Sequence, residues 1–171
     1  MIFGIYLQNH IQNLQIGLSE ILKEKGFKTY LYTNNKIHKK YINLERKNIF
    51  EDIKYNDILD FIFRAKNQIN KSKQKFYESK IQMTYLDLIS SNRILGIEYA
   101  IGSEYHPTHD LSKIDKKKIF SGLNDFFDFW VKEVKDKKIK VLISGEKEHW
   151  AVSKVCNINF RGIERARYKN Y

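Results

Sequence analysis

The sequence predicts an α/β fold built on an open parallel sheet. The apolar run Ile2–Leu7 is typical of a strand that is buried on both faces, and a second strand is predicted at Phe27–Tyr32. Between them, apolar residues recur at helical spacing from Ile11 to Leu22, which predicts a helix of about four turns. Short connections make such a strand–helix–strand unit parallel and right-handed. We therefore predict a Rossmann-like fold.

Two later segments predict further strands. Lys140–Ser144 carries a central V-L-I run, Phe160–Glu164 is the fourth strand, and a short helix at Trp150–Asn157 separates them. Between strands two and three, residues 54–136 show mainly helical periodicity. We therefore expect a single Rossmann-like domain over residues 1–171, with about four parallel strands in the order 2-1-3-4 and a helical insertion between strands two and three.

The charge of the chain limits its partners. The formal net charge is +11, and the lysines that produce it are scattered along the sequence. A basic balance suits nucleic acid, an anionic membrane surface or a phosphorylated ligand, but the lysine runs lack interleaved arginine and aromatic residues. We interpret these runs as solvated surface and expect no specific nucleic acid as a partner. A nucleic-acid-binding protein is the third hypothesis, and charge alone supports it.

Cysteine content and hydropathy indicate the compartment. Cys156 is the only cysteine, which excludes a disulfide framework and a cysteine metal cluster. No apolar stretch approaches the length of a membrane span, and Met1–Leu7 is too short for a secretory signal. The sequence therefore predicts a cytoplasmic protein, and peripheral contact with the inner face of the membrane is compatible with its charge.

The predicted strand order decides where a ligand would bind. In an open parallel sheet, ligands bind at the carboxyl ends of the strands where the order reverses, here between strands one and three. The turns Gln8–Asn13 and Gly145–His149 meet at this point, and each contains a histidine. His10 could act as a general base or bind a hydroxyl or phosphate group. The alternative is a surface histidine that helps to cap the following helix.

The second turn and a later loop supply further candidates. Glu146 and His149 begin a helix whose free amide groups suit an anion, although Glu146 also fits an ordinary acidic residue near a helix N-terminus. Glu104 and His106 lie in the proline-containing loop and become substrate contacts if that loop folds over the pocket. His106 and His109 are three residues apart, but their loop position and the lack of a defined zinc motif disfavour a metal site.

Several catalytic signatures are missing from the sequence. The turn after the first strand reads Q-N-H-I-Q-N rather than G-x-G-x-x-G, which disfavours dinucleotide binding of the dehydrogenase type. The sequence also contains no P-loop and no G-x-S-x-G nucleophile elbow. The sequence therefore predicts a cleft at which His10 faces Gly145, Glu146 and His149.

The order of these elements resembles a known family. The opening strand, the turn with His10, and the helix L-Q-I-G-L-S-E-I-L-K-E-K-G-F leading to Y-L-Y-T look like the start of a GT-B glycosyltransferase. More specifically, the chain resembles the N-terminal part of bacterial capsular or surface polysaccharide biosynthesis proteins. The features that carry this resemblance are Phe129–Trp130 in a helix, the segment Lys140–Glu146, and Gly162–Glu164 at the end of a strand. They span nearly the whole chain.

The resemblance implies an activity and partners. It implies metal-independent transfer of a sugar from a nucleotide sugar to a glycan acceptor, with no further cofactor. In such enzymes the N-terminal domain mostly holds the acceptor and the C-terminal domain the donor, so we expect a donor-binding second domain or chain. On this basis His10 is the candidate acceptor base, and Glu146, His149 and Glu164 line the cleft. The alternative is a non-catalytic partner module that uses the same cleft for a glycan or a phosphorylated ligand.

Overall fold

The computed structural model of the chain describes residues 1–7, 11–90 and 115–163. Within these ranges, five strands form one sheet: β1 (Ile2–Leu7), β2 (Lys28–Thr33), β3 (Asp52–Tyr55), β4 (Val141–Ile143) and β5 (Asn159–Arg161). The same ranges contain seven α-helices: α1 (Gln12–Glu24), α2 (Lys36–Glu45), α3 (Ile58–Arg64), α4 (Lys71–Ile81), α5 (Tyr85–Ser90), α6 (Lys116–Lys137) and α7 (Lys147–Cys156). A 3-10 turn, Lys47–Ile49, precedes β3. Of the helices described, none is both long enough and apolar enough to cross a membrane.

The sheet is open and parallel, as the sequence predicts. Its strand order is β3-β2-β1-β4-β5, and each neighbouring pair is parallel. The Rossmann-like class is therefore confirmed. The predicted four strands in the order 2-1-3-4 are wrong by one edge strand, because Asp52–Tyr55 extends the sheet beside β2. The four predicted strands keep their relative positions, so the order still reverses between β1 and β4.

The composition of β3 explains why hydrophobic periodicity did not predict it. The strand reads D-I-K-Y, and within it only Ile53 is fully buried. An edge strand lies against a neighbour on one side only and tolerates charged residues, so it lacks the apolar run that marks β1. A long-range ion pair helps to hold β3 in place, since Lys54 Nζ donates to Glu133 Oε1 of α6 at 2.5 Å.

Alternating side chains of the sheet enter two separate cores, one on each face. Phe3, Ile5 and Leu7 of β1 pack with apolar residues of α1 and α2. Tyr6 and Tyr32 face the opposite way, into a core that α3 to α7 build. The sheet is therefore covered by helices on both faces, as the buried strand pattern requires.

Local sequence signals set where several helices begin and where α1 ends. Helices α2, α3, α4 and α6 follow a residue whose side chain accepts a backbone N–H of the first turn: Asn35, Asp57, Asn70 and Asp115. These side chains satisfy amide groups that have no partner within the helix. Helix α1 is terminated two residues after its end by Gly26, whose φ of 76° is readily adopted by glycine, and Phe27 N donates to Leu22 O at 3.0 Å.

The helical insertion is held by a close contact between α3 and α6. A Cβ atom added at Gly122 of α6 would lie 2.5 Å from Ile62 Cα and 2.8 Å from Ile62 N. Both atoms belong to the backbone of α3, so no side-chain rotation could relieve the clash. Glycine at position 122 therefore allows the two helix axes to approach.

Replacing Gly122 with alanine should lower the free energy of unfolding by about 1–3 kcal/mol, because the added methyl group overpacks the contact between α3 and α6. Gly17→Ala in α1 is the matched control, since no atom lies within 4 Å of a Cβ added there. That change should instead raise the free energy of unfolding by about 0.5–1 kcal/mol through helix propensity. Urea unfolding followed by circular dichroism measures both, and equal effects would contradict the close contact.

Candidate functional site

The reversal of strand order lies at the centre of the carboxyl edge of the sheet, between β1 and β4. A crevice at such a reversal is the usual ligand site of an open parallel sheet. On the β4 side, Ser144–Glu146 form the turn that leads into α7. On the β1 side, residues 8–10 lie outside the described ranges. The described half of the crevice is therefore built from β1, β4, β5 and α7.

A pocket opens between the turn after β4 and the end of β5, and we call it the β4–α7 pocket. Its volume is about 260 Å³, and it is lined by Ser144, Gly145, Glu146, Lys147, Trp150, Phe160 and Gly162. The lining combines two aromatic side chains with one carboxylate and one ammonium group. Trp150 is half-buried and packs against the core, while Lys154 Nζ lies 5.6 Å from the centroid of its ring.

Ser144 fixes the turn that forms one wall of this pocket. Its side chain is fully buried, and its Oγ accepts a hydrogen bond from Glu146 N at 3.0 Å and lies 3.1 Å from His149 Nδ1. The backbone N–H of His149 donates in turn to Glu146 O at 3.2 Å. Ser144 therefore joins the end of β4 to the first turn of α7 and sets the position of the Glu146 backbone.

His149 lies beneath the pocket, inside an aromatic cage. Its side chain is 1% exposed, and its ring centroid lies 3.9 Å from that of Tyr6, 5.2 Å from Trp130 and 5.9 Å from Phe126. Within the described part of the chain, Nε2 has no hydrogen-bond partner. Burial lowers the pKa of His149 to about 3, because an imidazolium in this cage would lose its hydration. The ring is therefore neutral near pH 7, and its Nδ1 is a hydrogen-bond partner of Ser144 Oγ.

Tyr6 contacts three elements around the carboxyl edge: helix α1, the β3–α3 junction and helix α7. Gln15 Nε2 of α1 donates to Tyr6 O at 2.8 Å, and the Tyr6 hydroxyl donates to Asn56 O at 3.2 Å. The Tyr6 ring meanwhile lies against His149 at the start of α7. One side chain of β1 thus contacts the β3–α3 junction and helix α7, and its backbone contacts α1.

Acidic side chains surround this edge. Burial, and after it the charges of Glu148, Asp57 and Glu146, hold the pKa of the Tyr6 hydroxyl well above its ordinary range. Burial comes first because the phenolate would be poorly solvated, and the carboxylates then repel it. The hydroxyl of Tyr6 therefore acts as a hydrogen-bond donor and not as a base.

The site residues that the sequence predicts fall into three groups: two line the pocket, one is buried in the core, and the rest lie outside the described residues. Gly145 and Glu146 both line the β4–α7 pocket. His149 is next to them in sequence but contributes to the core below. The remaining candidates lie outside the described residues: His10, Glu104, His106 and Glu164.

Five residues of the pocket were not predicted from the sequence as site residues: Ser144, Lys147, Trp150, Phe160 and Gly162. Trp150 directly follows the Gly145–His149 turn, so an aromatic residue beside a predicted ligand edge was an available signal. Helical periodicity instead marked it as the start of a helix. Phe160 gave no such signal, because a strand residue enters this pocket only through the pairing of β4 with β5.

The described residues also bear on metal and thiol chemistry. Across residues 1–7, 11–90 and 115–163, no group of three or more His, Cys, Asp or Glu side chains could hold a metal ion. Cys156 ends α7, far along the helix from the β4–α7 pocket, and burial raises the pKa of its thiol to about 12. A thiol with so high a pKa is a weak nucleophile near pH 7.

Comparison with known proteins gives no further assignment: no protein-family model matches the chain, and neither curated proteins nor solved structures show a significant match.

The burial of His149 predicts how stability depends on pH. Its pKa is near 6.5 in the unfolded chain and about 3 in the folded chain, so between these values the unfolded state binds a proton that the native state does not. The full contribution of neutral His149 to the free energy of unfolding is therefore present above about pH 6.5. It declines as the pH falls toward 3, by up to about 1.4 kcal/mol per pH unit.

His149→Phe keeps a ring in the cage and removes the titration, so its free energy of unfolding should fall less steeply than that of the wild type between pH 6.5 and about pH 4. Carboxylates contribute similarly to both proteins, which makes the difference between the two slopes the relevant measurement. Urea titrations at half-unit intervals of pH provide it. Parallel curves would show that His149 titrates as an exposed histidine does.

Proposed function

We propose that this domain binds a sugar ring in the β4–α7 pocket and acts as the acceptor-side domain of a glycosyltransferase in bacterial capsule or surface polysaccharide biosynthesis. The observation that carries the proposal is the combination of Trp150 and Phe160 with Glu146 and Lys147, beside the reversal of strand order. The resemblance of the sequence to such enzymes supports it independently.

The chemistry of the lining favours a hydroxylated ligand. The C–H face of a sugar ring packs on aromatic side chains, and its hydroxyl groups donate to a carboxylate and accept from an ammonium group. Glu146 and Lys147 carry opposite charges, so the side chains of the pocket have no net charge. A neutral sugar suits this balance better than a phosphate, which Glu146 would repel.

In the proposed reaction, an acceptor hydroxyl loses its proton to a base and its oxygen attacks the anomeric carbon of the donor sugar. The bond from that carbon to the nucleotide phosphate breaks, and the nucleotide leaves with the electron pair. His10 is the base predicted from the sequence. We expect transfer without a metal ion, a nucleotide sugar held by a donor-binding domain or chain, and a cytoplasmic location that the single cysteine suits.

One observation favours a second function, a non-catalytic module for a phosphorylated ligand. Lys147 is the first residue of α7, where backbone N–H groups and the helix dipole favour an anion. Glu146 and Glu148 flank this position and oppose an anion there. Binding of a sugar phosphate much more tightly than of the corresponding sugar would favour this alternative.

Phe160→Ala should weaken sugar binding about tenfold or more, because it removes one aromatic wall of the pocket. Trp130 is fully buried and Trp150 lines the pocket, and these are the two tryptophans of the chain, so a bound sugar should change the emission of Trp150. Methyl glycosides of glucose, galactose, mannose and N-acetylglucosamine are the probes.

Phe63→Ala is the matched control for this titration, since Phe63 is exposed on α3 and does not line the pocket. It should leave the affinity unchanged. A protein whose emission responds to none of the four glycosides, or in which both substitutions have the same effect, would contradict sugar binding at this pocket.

His10→Ala should reduce sugar transfer by about 10²–10⁴-fold, the usual contribution of a positioned general base. Transfer from a nucleotide sugar to glycan acceptor is measured with the donor-binding domain or chain present. Binding of the methyl glycosides serves as the control and should persist, because the β4–α7 pocket is built from other residues. Full transfer activity in the variant would remove His10 from the mechanism.

A further inference from the structure

A second pocket lies at the other end of the carboxyl edge, where β3 leads into α3. We call it the β3–α3 pocket, and its volume is about 180 Å³. Its walls come from the β3–α3 junction, from α3, and from Asp125 of α6. It shares no lining residue with the β4–α7 pocket, so a ligand here would occupy a site separate from the proposed sugar site beside α7.

Asn56 is the buried polar residue of this pocket. Its side chain is 2% exposed, and among the described residues neither Nδ2 nor Oδ1 has a hydrogen-bond partner. Its backbone is fixed, since Asn56 N donates to Thr33 O at 2.8 Å and Asn56 O accepts from the Tyr6 hydroxyl. An unpaired buried amide costs stability, and a bound ligand that pairs with it removes this cost. Asn56 therefore offers a ligand both the N–H donors of Nδ2 and the acceptor oxygen Oδ1.

The charge of the lining selects the kind of ligand. Three carboxylates and one guanidinium line the pocket, which gives a formal charge of −2 in a chain whose net charge is +11: Asp57, Asp60, Asp125 and Arg64. Arg64 Nη2 is already engaged, 3.0 Å from Asp60 Oδ2. Lys36 lies beside the Tyr55 wall and offsets part of this charge, and the remaining negative charge attracts a cation and repels a phosphate.

Asp125 is the carboxylate of the lining that α6 contributes, and among the described residues it takes part in no ion pair. Its side chain is exposed, yet partial desolvation by neighbouring atoms, followed by repulsion from Asp128, raises the pKa of its carboxyl group, while Lys73 acts in the opposite direction. A carboxylate whose pKa is raised by partial desolvation and by a like charge is stabilised when a cation comes close.

The aromatic walls and the size of the pocket are consistent with a small cation. Lys36 Nζ lies 5.0 Å from the centroid of the Tyr55 ring, so this ring already contacts one ammonium group. Phe61 forms a further apolar wall. A volume of about 180 Å³ corresponds to roughly six water molecules and is below the range of drug-sized ligands.

We propose that the β3–α3 pocket binds a small organic ligand that carries a primary ammonium group. The ammonium group donates to the Asp125 carboxylate and to Asn56 Oδ1, and Asn56 Nδ2 donates to a hydroxyl or carbonyl oxygen of the same ligand. Tyr55 and Phe61 contact its carbon atoms. Binding thereby pairs the buried amide and gives Asp125 a counter-ion.

Ethanolamine is the probe, and ethylene glycol is its neutral counterpart of the same size. A titration of the isotope-labelled full chain, followed by ¹H–¹⁵N NMR at pH 7, should give saturable shifts at the amides of Asn56 and Asp125 with ethanolamine. Ethylene glycol should give none at the same concentration. Equal shifts with both molecules, or shifts that do not saturate, would overturn the proposal.

Two variants and one control complete the test. Asp125→Asn removes an exposed carboxylate and should weaken ethanolamine binding about tenfold or more, whereas Asp136→Asn makes the same charge change on the same helix outside the pocket and should not. Asn56→Leu should also weaken binding without lowering the free energy of unfolding, because the amide has no partner to lose among the described residues. Unchanged affinity in Asp125→Asn would overturn the proposal whether or not the Asn56 variant folds.

Discussion

The position of Tyr6 is the interaction on which the carboxyl edge depends. The residue lies in the central strand, and its hydroxyl, its ring and its carbonyl oxygen contact Asn56, His149 and Gln15 respectively. These three partners lie at the β3–α3 junction, in α7 and in α1, which strand pairing alone would not bring together. Because burial and nearby carboxylates hold the pKa of the hydroxyl well above its ordinary range, the hydroxyl keeps its proton near pH 7 and continues to donate to Asn56 O. Both pockets therefore border on elements that Tyr6 holds in register.

The helical insertion supports this edge from below. Glu133 of α6 is buried, and it accepts hydrogen bonds from the Tyr32 hydroxyl at 3.0 Å and from Lys54 Nζ. These bonds tie α6 to β2 and β3, and Gly122 brings the same helix against α3. Helix α6 is thereby placed so that Phe126 and Trp130 form the cage around His149. The insertion is thus a structural part of the candidate site, and not an appendage to the sheet.

The sequence predicts those parts of the fold that local patterns encode. Apolar runs are enough to place β1, β2 and β4, since strands covered by helices on both faces need them. Strand β3 has no apolar run to predict it. Its charged Lys54 is instead paired with Glu133, which lies 79 residues away in the sequence and cannot be found from a local pattern. The same limit applies to the site. The turn at Gly145 and Glu146 follows from topology, but the burial of His149 does not, because its cage comes from residues of a distant helix.

The contrast between the two pockets follows from how their carboxylates are balanced. Beside α7, Lys147 offsets Glu146, and the lining is suited to a neutral hydroxylated ring. Beside α3, the described cation Arg64 already pairs with Asp60, so Asp125 raises the local negative charge within a strongly basic chain. Short-range pairing therefore decides the local field more than net charge does, since solvent and salt screen the scattered surface lysines. A single carboxyl edge can in this way present one neutral and one acidic site, with Tyr6 between them.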